Sequence, residues 1–230
     1  MATFTDYSDI LPDPSHEIGK GGELDLSTGL AGPGFAGVKL ISVEPLLRYT
    51  ANSQIRESQA AYHHKWGIDI TYNPLTCEQF HVVLAFLLYK QYTMQSFYVS
   101  LPQFASQGIA DMPVNSTKLA GNSVITIDGT GVLPGMLFTQ DNAPAHTKAY
   151  MVTRVETNTN YLTGVTPVDQ PNAGDERLHF TPALHEDILA TDTLDFTDPL
   201  IKVRQIGNVT YALDKNGLFN YSLRLEEVRT

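Results

Sequence analysis

One segment of this chain carries a helical period, and the regular segments on both sides of it carry a strand period. In "TCEQFHVVLAFLLYKQ", residues 76–91, the apolar positions Phe80, Val83, Leu84, Leu87 and Leu88 recur at i, i+3, i+4, i+7 and i+8. Thr76 stands where an N-cap belongs, and Gln79 follows at the spacing of a capping box. The spacing predicts a helix of about 15 residues, roughly 22 Å long. Around it, "VKLISV", "WGIDITY", "FYVSLP", "PLIKVRQI", "VTYAL" and "NYSLRLEEV" alternate apolar with polar residues. Trp66, Ile68, Ile70 and Tyr72 share one face of their strand, as do Tyr221, Leu223, Leu225 and Glu227 of another. A lone amphipathic helix among such strands has one economical use, which is to cover one face of a sheet. The expected fold is mainly β, with one helix covering a sheet.

The strand pattern is interrupted. After Pro102 the chain turns rich in Thr, Asn, Asp, Gly and Pro, and residues 112–192 carry only short β-like pieces. These are "SVITIDG", "GMLFTQ", "AYMVTRVE", "YLTGVTPV" and "RLHFTPAL". Short strands about 10 residues apart, with no long helix, predict a small barrel or sandwich. Regular strands resume near Asp195, and Asn216-Gly217 marks a hairpin between two of them. The simplest organisation is one domain of residues 35–103 plus 195–230, split by a second β domain of residues 104–194 inserted at a loop. Residues 12–37 hold seven Gly and three Pro. Residues 1–34 are therefore expected to be an extended arm, poorly suited to a core. The glycines lack the Lys-Ser/Thr ending of a phosphate-binding loop.

The residues that invite a chemical reading do not assemble into one. His63 and His64 are adjacent, so in a strand they point to opposite faces. His81 has no His or carboxylate at i+4 with which to hold zinc. Cys77 lies in the first helical turn, with His81 at i+4 as the nearest base, but a nucleophile also needs that base oriented by a third group. The acids Glu186, Asp187, Asp192, Asp195 and Asp198 lack the spacing of a calcium loop. Asn115, Asn208 and Asn220 head glycosylation sequons, and the first residues do not have the form of a secretory signal. No catalytic, cofactor-binding or metal-binding residue is assigned, and the chain is expected not to be an enzyme. With a formal charge of -10 and no basic run, it is a poor binder of nucleic acid. The longest apolar run, residues 82–89, is too short to span a membrane, which takes about 20 residues.

An ordered series of segments resembles a known family. The series begins with "LPDP" and runs through "PGFAGVKLISVEPLLR", "KWGIDITYNPLTCEQFHVVLAFL" and "FYVSLPQF" to "GVLPGMLF", "KAYMVT" and "NGLFNYSLRLEEV". It is similar to the distal tail proteins of long flexible-tailed bacteriophages (siphophages), in the variety that carries an inserted OB-fold. The resemblance covers most of the chain. It implies that the split domain is a β-sandwich with one covering helix, that the inserted domain is a small OB-like β-barrel, and that the sandwich domain assembles as a hexameric ring at the distal end of the tail. The ring would join the tail tube to tail-tip hub or baseplate proteins and to side fibres. The protein would be a structural part of the virion, made in the host cytoplasm, without cofactor, membrane or sequence-specific nucleic-acid partner. The alternative is a carbohydrate- or oligomer-binding β module, which needs an exposed stacking platform. Tyr150, Tyr161, Phe138 and Phe180 are the residues available for one.

Overall fold

The computed structural model describes residues 9–13, 34–44, 46–50, 56–60, 64–101, 104, 109–140, 147–161, 170–208 and 211–228. In chain order come β1 (Phe35–Val43), β2 (Leu46–Thr50), β3 (Arg56–Ala60), β4 (Lys65–Tyr72), α1 (Cys77–Thr93) and β5 (Phe97–Ser100). Next are β6 (Met112–Pro113), β7 (Val124–Asp128), β8 (Leu137–Gln140), β9 (Tyr150–Thr157), β10 (Asp175–Thr181) and β11 (Thr193–Asp195). The chain closes with β12 (Leu200–Gln205), β13 (Tyr211–Leu213) and β14 (Phe219–Glu227). It divides into two compact units, one formed by residues 1–99 and 202–228, the other centred on residues 100–201.

The first unit is built on a sheet of order β1-β4-β14-β12-β5, with β13 paired to β14 and β2-β3 forming a separate ribbon. The alternation predicted for β4 and β14 holds. Trp66, Ile68, Ile70 and Tyr72 are all buried, and so are Tyr221, Leu223, Leu225 and Glu227. Register aligns the two sets, with Leu223 opposite Ile70 and Leu225 opposite Ile68. The carboxylate of Glu227 is buried on this face because it accepts the Trp66 backbone N–H at 3.0 Å.

Helix α1 covers this face. Its start is fixed locally: the Thr76 hydroxyl accepts the Gln79 N–H, and the Gln79 side chain accepts the Thr76 N–H at 3.1 Å. Phe80 stacks on Phe219 with ring centroids 4.2 Å apart, and Phe86 meets Phe97 edge-on at 5.2 Å. The buried stripe differs from the predicted one. It is Phe80, Val83, Phe86, Leu87 and Lys90, whereas Leu88 is 48% exposed. At about 100° per residue the stripe centres between Val83 and Leu87, and Leu88 falls beyond its edge. Lys90 stays on the stripe because its ammonium group pairs with Asp9 and lies 5.7 Å from the centre of the Phe86 ring.

That ion pair leads to the main departure from expectation. Residues 9–13, part of the expected arm, belong to the core of the first unit. Ile10 bridges Tyr98 in parallel sense. The Tyr98 N–H donates to the Asp9 carbonyl at 2.6 Å, and the Leu11 N–H donates to the Tyr98 carbonyl at 2.8 Å. Leu11 is fully buried. The Tyr72 hydroxyl donates to the Pro12 carbonyl at 2.8 Å. Burial, then the neighbouring Asp13 and Tyr221, push the Tyr72 phenol well above its ordinary pKa. The rest of the glycine-rich segment, residues 14–33, lies outside the described residues.

The second unit is a six-stranded sheet of order β6-β11-β8-β9-β10-β7. It curls until its two outermost strands meet: Val114 bridges Ile127, and the Asn115 N–H donates to the Thr126 carbonyl at 3.0 Å. Inside it, Phe138 touches Tyr150, Phe180 and Phe196, each at a centroid distance of 5.4 Å. A bulge sets the β9–β10 register. Phe180 faces Val152 but His179 faces Arg154, so Thr153 is passed over. The predicted piece "YLTGVTPV" lies almost wholly outside the described residues.

Candidate functional site

Cys77 and His81 do meet. Both are exposed on the first turns of α1, with the sulfur 3.5 Å from His81 Nε2. Their i, i+4 spacing on a capped helix brings them together. Among the described residues, no acid or amide side chain bonds the imidazole to orient it as a base. His64 accepts or donates a 2.9 Å hydrogen bond with the Ser42 hydroxyl and packs edge-on against Trp66 at 4.6 Å. His63 lies outside the described residues. Among the described residues, no group of three or more His, Cys, Asp or Glu side chains is placed to hold a metal ion.

The acidic run hydrogen-bonds mainly to backbone. Asp187 accepts the Ala120 N–H at 2.7 Å. Asp192 accepts the Leu189 N–H at 2.7 Å and also the Gln140 side-chain amide. Asp195 accepts the N–H groups of Thr197 and Asp198 at 2.8 and 2.9 Å. Asp198 accepts the Ser100 hydroxyl. These bonds pin turns. Burial raises the Asp195 pKa; its backbone donors oppose this, and Asp111 and Asp198 add to it. Asn115 heads its sequon with its side chain bonded to Asp175 at 2.7 Å.

The aromatic residues considered for a stacking platform are not on the surface. Phe138 and Tyr150 are fully buried and Phe180 nearly so, while Tyr161 is half-buried. The Tyr150 hydroxyl accepts the His185 N–H at 3.0 Å, which satisfies it inside the unit. Packing of the β7–β11 core requires Phe138, Tyr150 and Phe180, so these three rings cannot also stack on a ligand.

What the first unit presents outward is strand edge. Sheet strands with unpaired N–H and C=O groups are templates for further pairing. The β5 edge is occupied by residues 9–13. Among the described residues, β1 pairs only with β4, and β13 only with β14. Both carry exposed apolar side chains: Val43 is 46%, Tyr211 55% and Leu213 60% exposed. The hairpin that holds β13 is built around Asp214, whose carboxylate accepts the Asn216 and Leu218 N–H groups at 2.6 and 3.2 Å. Gly217 takes the left-handed conformation at φ 77°. Asn216 does not, so the turn is a wider Asp-capped loop rather than the two-residue form that Asn-Gly favours. Sequence reading missed β13 as an open edge because period-2 alternation gives strand identity but not strand order.

Residues 26–104 match the family model described as distal tail protein pb9, A domain, N-terminal. The match spans β1 to β5 and α1. No curated protein matches the chain.

Proposed function

We propose that this chain is a phage distal tail protein, as the match over residues 26–104 supports, and that it forms a ring of six copies at the far end of the tail tube. Its role in the tail is structural. The observation that carries the reading is the family match over residues 26–104. The edges of β1 and β13, each paired on one side only among the described residues, support it. They are different surfaces of one subunit, so pairing one with the other on a neighbour is head-to-tail, and head-to-tail contacts generate rings when the rotation closes. The apolar side chains exposed at Val43, Tyr211 and Leu213 suit burial in such a contact.

In this reading the first unit, residues 1–99 and 202–228, contacts the tail tube and the tail-tip hub. The inserted unit starts a few residues earlier and ends a few later than the sequence pattern suggests, because Phe196 packs in its core; it is an OB-like module on the outside of the ring, next to side fibres. In this reading the protein acts as a tail component and not as a catalyst, which the family match supports. Negative-stain electron microscopy of the purified protein is expected to show six-fold rings, with interfaces above the roughly 1,000 Å² that stable contacts bury. Immunogold labelling of virions is expected at the tail tip. Label on the capsid, or a monomer at every concentration, would overturn the proposal.

A further inference from the structure

Asn216 and Gly217 make the one Asn-Gly step in the chain. In such a step the glycine nitrogen lies next to the side-chain carbonyl carbon of the asparagine. Gly217 has no Cβ, so nothing on that residue crowds an approach of the two atoms. Asn216 is exposed to water. Among the described residues its side-chain amide has a single hydrogen bond, from Nδ2 to the Asp214 carboxylate at 3.3 Å.

The turn restrains the reacting atoms through Asp214. The Gly217 N–H donates to the Asp214 carbonyl at 3.1 Å. The Asp214 carboxylate holds the N–H groups of Asn216 and Leu218 at 2.6 and 3.2 Å. The Gly217 nitrogen is therefore available only when the turn opens, and the strength of the Asp214 bonds sets how often that happens.

We propose that Asn216 is a site of spontaneous deamidation gated by Asp214, and that its conversion loosens β13. The step needs neither oxidant nor reductant. The Gly217 nitrogen gives its proton to water and bonds to Asn216 Cγ. The Cγ–Nδ2 bond breaks, and the nitrogen leaves as ammonia with a proton from water. Water then opens the cyclic imide. Attack at Cγ gives aspartate, and attack at the backbone carbonyl carbon gives isoaspartate. Aspartate replaces the Nδ2 donor by a second carboxylate against that of Asp214, and like charges at that distance repel. Isoaspartate inserts Cβ into the main chain and so lengthens the loop between Asp214 and Leu218. β13 depends on this loop. Leu213 stands opposite Phe219, and the Asp214 N–H donates to the Leu218 carbonyl at 2.8 Å. The conversion does not depend on the ring.

Peptide mapping of the full chain, incubated at neutral to mildly alkaline pH, tests this. Aspartate and isoaspartate are expected at residue 216 ahead of every other asparagine, with matching release of ammonia. Asp214→Ala frees the Asn216 and Leu218 N–H groups and is expected to speed conversion about fivefold or more, the scale of one hydrogen bond. Gly217→Ala places a Cβ beside the attacking nitrogen and should slow it severalfold. A cooperative melt checks that each variant folds, since Gly217 takes φ 77°. Amide hydrogen exchange over residues 211–213 should rise with the converted fraction, and fresh Asn216→Asp should show part of that rise. Conversion at 216 no faster than at other asparagines, a rate unmoved by Asp214→Ala, or unchanged exchange over 211–213 in the converted protein overturns the proposal.

Discussion

β5 and β13 are both outer strands of the first unit's sheet, and the chain treats them in opposite ways. The β5 edge is closed by residues 9–13, through two backbone hydrogen bonds, the fully buried Leu11 and the Asp9–Lys90 pair. The β13 edge carries Tyr211 and Leu213 in the open. A strand edge left unpaired is a liability, so evenly managed edges would be expected in a protein that works alone. In the proposed ring, closing one and leaving another open among the described residues, with apolar side chains, directs association to the open one, so that sheet edges supply specificity through which of them is withheld.

Four substitutions rank the parts of this contrast. The sheet interior sets the upper limit: Trp66→Ala is expected to cost about 3 to 5 kcal/mol. Urea unfolding measures it, and a native Trp fluorescence maximum at the water-exposed wavelength would contradict burial. At the closed edge, Leu11→Ala is expected to cost about 2 to 5 kcal/mol. A loss below about 0.5 kcal/mol, the scale of ordinary surface changes, would mean that residues 9–13 are not integral and would erase the contrast.

Tyr72→Phe removes the hydroxyl bond to Pro12 and is expected to cost about 1 kcal/mol near neutral pH. The sign of its pH dependence follows from linkage. The folded-state pKa is raised, so the unfolded chain ionises first, and stability falls as pH rises past the unfolded value of 10.0. Tyr72→Phe should make that alkaline decline shallower, and thermal melts between pH 9 and 11 would read it; an unchanged slope would contradict the burial of the phenol.

The smallest effect on stability belongs to the open edge. Leu213→Lys is expected to change unfolding free energy by less than about 0.5 kcal/mol. The same substitution should abolish ring formation, as read by sedimentation. A destabilised monomer, or an intact ring, would break the link between the open edge and assembly.

Much of the first unit was legible because its signals are local. The Thr76–Gln79 box spans four residues, and the alternation in β4 and β14 needs no knowledge of partners. Lys90 was not legible, because a charged residue on an apolar stripe counts as polar until its partner, 81 positions earlier, is known. Residues 9–13 failed for the same reason, since a parallel bridge to Tyr98 leaves no period in five residues. β6 and β11, of two and three residues, are too short for any pattern. On β9 the residues were visible, but beyond Thr153 their side of the sheet was not. The bulge at Thr153 reverses the alternation, and nothing in "AYMVTRVE" announces it. The aromatic residues of the second unit were legible as large apolar groups, and only burial separates a core ring from a stacking platform.

The sheet order β1-β4-β14-β12-β5 has a consequence in time. Its middle strand, β14, begins at Phe219, after every other strand has been made. Until then β4 lacks its inner partner, and β12 has nothing to join it to β1. β13 likewise pairs only with β14, so the open edge acquires its shape in the same step. A growing chain therefore cannot present a finished edge to a neighbour, and in the proposed ring incomplete copies would be kept out by the order in which they are synthesised.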